Sequence, residues 1–123
     1  MPFEKIATLV AALFAILAMS FFVFPDLITA AWGLRLEGDG AFMGQRLAAY
    51  FAGGAVMLFL ARSAPPSPAR RAIAVGVAVS LYTVAVVGVL ALVRGEVAGG
   101  ILLAIAVEVV FGTVLLITGR SVA

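Results

Sequence analysis

Residues 101–119 read "ILLAIAVEVVFGTVLLITG", and this stretch decides the fold. As a helix rising about 1.5 Å per residue it would be about 28 Å long, close to the roughly 30 Å of a bilayer's hydrocarbon core. Its one ionisable residue is Glu108. A carboxylate in such a setting faces protein, a cavity or lipid, and each choice implies a different kind of molecule.

Working outward, four stretches have the length and apolar character of a membrane crossing: Ile6–Phe24, Ala41–Ala61, Ala72–Val93 and Ala98–Thr118. The joints between them are short and polar. This predicts an all-α, integral membrane four-helix transmembrane bundle, up-down-up-down, with residues 1–123 forming a single transmembrane domain. Composition agrees: 65% of the 123 residues are hydrophobic and 11% are charged, against about 45–50% and about 25% in soluble domains. So few charges cannot cover the surface of a water-soluble fold of this size. The first apolar run is too long for a signal peptide, and "FFVFPDL" is not a small-residue cleavage site. The expectation is a retained helix.

The chain has no cysteine and no histidine. That excludes disulfides, thiolate metal sites, thiol nucleophiles, His-ligated haem and imidazole acid–base chemistry. No metal site or cofactor is expected. The pI is near 9.7, but the net charge is only +2, too little for a nucleic-acid binder. The basic residues instead report orientation. Lys5, Arg62, Arg70, Arg71 and Arg120 fall on one side, whereas Arg35 and Arg94 share the other with Asp26, Glu37, Asp39 and Glu96. The positive-inside rule then places both termini in the cytoplasm.

Two joints have features of their own. "RSAPPSPARR" (62–71) is a proline-rich connector in which Pro65, Pro66 and Pro68 favour extended backbone. "PDLITAAWGL" (25–34) opens with a helix-start signal and closes at Gly33, with Leu27, Ile28, Ala31 and Trp32 on one helical face. This predicts a short interfacial helix, with Trp32 as its headgroup-level anchor. A lid over a cavity is the alternative. Asp39 is placed to cap the second helix.

Charge inside the membrane is costly, roughly 2.5–3.5 kcal/mol for an arginine or aspartate at a helix centre, and marks candidate sites. Arg46 lies about 7 Å into the second predicted helix and Glu108 about 15 Å into the fourth. Arg46 is shallow enough to snorkel; Glu108 is not. Tyr50, one turn below Arg46, falls near the depth of Glu108, so a Tyr50 hydroxyl bonded to Glu108 with Arg46 above is the expected arrangement. Gly100, Ala104, Glu108 and Gly112 recur every four residues. That stripe of small side chains turns Glu108 toward protein or a cavity. Ser80 and Thr83 reach the midplane from the third helix, with Tyr82 on a neighbouring face. The candidate intramembrane polar site is therefore Glu108, Arg46, Tyr50, Ser80 and Thr83.

Three functions follow from these residues. The first is a structural or accessory subunit whose small-residue stripes dock partner membrane helices or a second copy as a homo-oligomer. The second is a proton-coupled binding protein or transporter for a lipophilic or cationic ligand, with Glu108 as the site. The third, an enzyme acting on lipids, ranks last, since one acid, an arginine and tyrosines form no catalytic set.

The segments "FPDLITAAWGL" and "GQRLAAYFAGG" resemble a loose group of small bacterial inner-membrane proteins of unknown function. These have four helices, a proline soon after helix one, a short "GL" helix, and an arginine and glycines opening helix two. The resemblance covers roughly the first half of the chain and implies fold, topology and an inner-membrane location only. Four helices at this length are also similar to the small multidrug transporters, whose essential glutamate lies in helix one. Here helix one, "IATLVAALFAILAMSFFVF", contains no acid, so no transport role carries over.

Overall fold

A computed structural model describes residues 2–120. It contains four α-helices: α1 (Phe3–Val23), α2 (Asp39–Ala61), α3 (Pro68–Val93) and α4 (Ile101–Thr118). All four are long and apolar enough to cross a membrane.

The helix ends differ from those the apolar runs suggest, for local reasons. α1 starts at Phe3 rather than Ile6 because polar Glu4 and Lys5 continue the helix beyond its apolar run. A carboxylate in a first turn also suits the helix dipole. α1 stops at Pro25, since the residue before a proline is pushed out of helical geometry; Phe24 has φ −131° and ψ 78°. α2 starts at Asp39, with Gly38 at φ 54° as the residue before it. Asp39 lies inside the first turn and makes no capping hydrogen bond, so the cap expected of it is not formed. α3 starts four residues earlier than its apolar run. Ser67 Oγ accepts the Arg70 backbone N–H at 3.2 Å, and Pro68 at the first helical position gives up no intrahelical hydrogen bond.

The short helix expected between α1 and α2 is reduced to turns and one 3-10 turn, Thr29–Trp32, closed by Gly33 in the left-handed region at φ 76°. The reason lies in the opposite joint. The Ala98 N–H donates to the Trp32 carbonyl at 2.7 Å, and the Ala31 backbone lies so close to Gly100 that any side chain there would meet its carbonyl. The same contact delays α4 to Ile101. Trp32 is thus part of a backbone bridge between two joints.

Packing proceeds in two pairs. Between α1 and α2 the Phe14 ring lies on Gly54, and Gly44 sits against Phe21 and Pro25. Phe51 fills the space between: its ring centroid is 5.3 Å from that of Phe14, edge to face, and 5.9 Å from that of Phe21, stacked. Between α3 and α4, Ile101 and Ile105 lie on Gly88, and the Tyr82 ring lies on Gly112. Contact between the pairs, α1 with α4 and α2 with α3, is much slighter. It concentrates where Phe3, Ile6 and Val10 of α1 meet Leu58 of α2, Val77 of α3 and Leu115 of α4.

The exterior is the reverse of a water-soluble protein's. Ala7, Ala48, Ala55, Ala74, Ala78 and Ala85 are buried, whereas Ile16, Phe22, Leu60, Val87, Leu103 and Ile117 are exposed. Small residues inside let helices approach closely.

A glycine under a ring should be more sensitive than one facing open space. Gly112→Val, which forces Tyr82 aside, is expected to cost about 1–3 kcal/mol. Gly76→Val, with nothing near its would-be side chain, should stay within about 0.5 kcal/mol. Unfolding in mixed detergent micelles measures both.

Candidate functional site

Glu108 lies seven residues into α4, about 10 Å along an 18-residue helix of about 27 Å. At 100° per residue it shares a face with Ile101, Gly112 and Leu115, all buried. That face is the one packed on α3, where Ile101 lies on Gly88 and the Tyr82 ring lies on Gly112. Glu108 itself is half-buried.

The side chains expected around it are engaged elsewhere. Ser80 Oγ donates to the Gly76 carbonyl at 3.0 Å, and Thr83 Oγ1 to the Val79 carbonyl at 2.7 Å. Both satisfy themselves within their own helix. Tyr50 is 74% exposed, because its neighbour Phe51 takes the inward position among the α1 rings. The Tyr50–Glu108 hydrogen bond is therefore not formed. Arg46, also exposed, holds its guanidinium 5.9 Å from the Phe42 ring centroid. The ion pairs among the described residues are Arg35–Glu37 at 3.6 Å and Arg94–Glu96 at 3.9 Å, so neither Arg46 nor Glu108 belongs to one. No side-chain hydrogen bond among these residues reaches Glu108.

A polar contact between α3 and α4 joins Tyr82 with Thr113, 2.7 Å apart. Thr113 gives its single hydroxyl hydrogen to the Val109 carbonyl at 2.8 Å, so Tyr82 is the donor across the α3–α4 interface.

A second polar centre lies at the chain-terminal end of the bundle, and sequence reading assigned it only an orienting charge. The Arg70 guanidinium donates to the Ala64 carbonyl at 3.1 Å, the Thr118 carbonyl at 3.0 Å and the Arg120 carbonyl at 3.3 Å. It also lies 4.7 Å from the Phe3 ring centroid. One side chain thus joins the α2–α3 joint, the carbonyl end of α4 and the start of α1. Guanidinium geometry suits this role, with several donors fixed in one plane. The helix dipole adds to it, since cations are favoured at a C-terminus. The sequence signal was present but faint: "SPARR" starts a helix, which gives Arg70 and Arg71 different directions. Arg62 caps its own helix, donating to the Phe59 carbonyl and stacking 3.7 Å from the Phe59 ring centroid.

No family model matches the chain, and neither a curated protein nor a solved structure does. The chemistry of these residues is the remaining guide to function.

Arg70→Ala is expected to lose about 1.5–3 kcal/mol of stability, the scale of hydrogen bonds to a charged group. Arg70→Lys should recover less than half of it, because an ammonium cannot reach three dispersed carbonyls together. Unfolding in detergent reports the loss. Hydrogen exchange should locate it as faster exchange in the last turn of α4.

Proposed function

We propose that the chain is a small integral membrane protein of structural or accessory type, whose lipid-facing helices dock partner helices or further copies. The observation that carries this reading is the fate of the mid-depth hydroxyls. Ser80, Thr83 and Thr113 bond to their own helix backbones, and Tyr82 bonds to Thr113. A proton path needs polar groups leading to its carrier from both sides, whereas Ser80 and Thr83 close on their own helix and Tyr82 ties α3 to α4. Catalysis is not part of the proposal.

The topology we infer is up-down-up-down in a bacterial inner membrane, with both termini and the 62–67 joint cytoplasmic. Two observations support it: the order of contacts along each helix pair, in which Phe14 meets Gly54 while Phe21 meets Gly44, and the bias of basic residues. The chain contains no cysteine, so single introduced cysteines can test it. Ser63→Cys should resist a membrane-impermeant maleimide on intact spheroplasts and react after lysis, while Gly95→Cys should react in both. The reverse pattern would overturn the orientation.

A second reading keeps one specific support. Glu108 is partly buried and lies outside every ion pair and side-chain hydrogen bond among the described residues, as a proton-coupled site for a lipophilic or cationic ligand would require. Glu108→Gln separates the two readings in proteoliposomes under an imposed pH gradient. The structural role predicts unchanged folding and no proton or lipophilic-cation flux above empty vesicles, with or without the substitution. A flux that Glu108→Gln abolishes would establish transport instead.

A further inference from the structure

Between the two helix pairs, on the side where α2 faces α3, lies an open groove of about 540 Å³, within the range of about 300–1,000 Å³ usual for ligand sites. Phe14, Leu47, Phe51, Met57 and Val84 contribute its apolar lining, and Gly53 and Gly76 flatten its walls. A side chain at either glycine would meet nothing within 4 Å. The groove is therefore a long apolar slot left unfilled by the protein.

Its two polar features are arranged in order along α2. Tyr50 lines the groove, largely exposed and with a hydroxyl that takes no part in the side-chain hydrogen bonds above. Arg46 stands one turn toward the Trp32 end on the same face. Gly44 lies beside Phe21 and Pro25, at the end of α1, which puts Arg46 near the membrane surface. The nearby ion pairs leave it out: Arg35 is matched by Glu37 and Arg94 by Glu96. Arg46, outside both ion pairs and with its guanidinium 5.9 Å from the Phe42 ring centroid, thus stands one turn above the groove's lining, with the Tyr50 hydroxyl below it.

We propose that this groove is a binding site for an anionic phospholipid, with the phosphate on Arg46, an ester or glycerol oxygen on the Tyr50 hydroxyl, and one acyl chain along the α2–α3 slot. Charge decides between this occupant and a second copy of the chain. A two-fold contact through the same face would bring two Arg46 side chains together, in a setting of low dielectric where like charges repel strongly. A phosphate instead supplies the missing anion, and its tail is of the same chemistry as the lining. The site is independent of Glu108 and rests on the membrane placement proposed above.

Native mass spectrometry of the full-length, delipidated protein in detergent tests the site. The probes are phosphatidylglycerol, phosphatidylcholine with the same acyl chains, and inorganic phosphate. The expected result is one retained phosphatidylglycerol, favoured over phosphatidylcholine by about five-fold, the scale of one arginine acting on an anionic lipid. Arg46→Gln should remove that preference and Arg46→Lys should keep it. Gly53→Leu, on an exposed face, should displace the lipid while leaving the circular dichroism and unfolding midpoint unchanged. An equal preference in wild type and Arg46→Gln overturns the proposal, as does lipid binding undiminished by Gly53→Leu. Displacement of the lipid by inorganic phosphate alone would mean a bare anion site. A lipid-free dimer that Gly53→Leu dissociates would mean that a second copy covers the groove. Either of these results also overturns the proposal.

Discussion

The arrangement depends on shape more than on hydrophobicity. In a lipid environment an apolar side chain gains little by leaving hydrocarbon for protein, so helices associate only where their surfaces fit. In this chain the fit is repeatedly a ring or branched chain set on a glycine: Phe14 on Gly54, Tyr82 on Gly112, Ile105 on Gly88. Each glycine removes a side chain at the point where another helix must come close. The gain is dispersion, about 0.1–0.2 kcal/mol for each atom pair at contact distance, summed over many pairs. Pairs that carry such contacts, α1 with α2 and α3 with α4, are closely packed. Pairs that lack them are not.

Packing between the two halves is slight outside the apolar cluster of Leu58, Val77 and Leu115 with α1, and polar contacts toward the ends add to it. At one end Arg70 gathers the carbonyls of Ala64, Thr118 and Arg120 over the Phe3 ring. At the other, the Trp32 carbonyl accepts from Ala98 and the Ala31 backbone rests on Gly100. Both use backbone groups freed where helices end, which need partners wherever water is scarce. The joints therefore do more than connect. They fasten the halves together where the helix faces alone provide little.

The four helices were legible because a run of about twenty apolar residues, the length a membrane crossing demands, is a signal that little else produces. Their ends were less so, since hydropathy marks where apolar character stops and a helix stops where its last partner does. Ser67 and Pro68 start α3 inside what reads as a proline-rich connector. Ala98 donates to Trp32, and α4 begins only after it, at Ile101. The small residues beside Glu108 read as a helix-packing face, and Gly112 of that stripe lies under the Tyr82 ring of α3. The partners of Glu108 did not follow, because depth says nothing about rotation: Tyr50 is near the right level but on the wrong face, and adjacent Phe51 holds the interior position. Arg70 shows the reverse case. Its type and location suggested membrane orientation, and only the fold brings three carbonyls to it from distant parts of the chain.

These constraints bear on why Glu108 stands without a partner. It lies between the two end contacts, about 16 Å along the helix from Gly119, where Phe3 and Ala74 close the bundle. At this depth close packing stays within the helix pairs: the α1 and α2 rings face one another, and Tyr82 bonds to Thr113 within the α3–α4 pair. Glu108 belongs to the α3-packed side of α4, between Ile105, set on Gly88, and Gly112, under the Tyr82 ring. The Tyr82 hydroxyl is already given to Thr113, whose own hydrogen goes to the Val109 carbonyl. This interface thus satisfies its polar groups among themselves and leaves the carboxyl outside them.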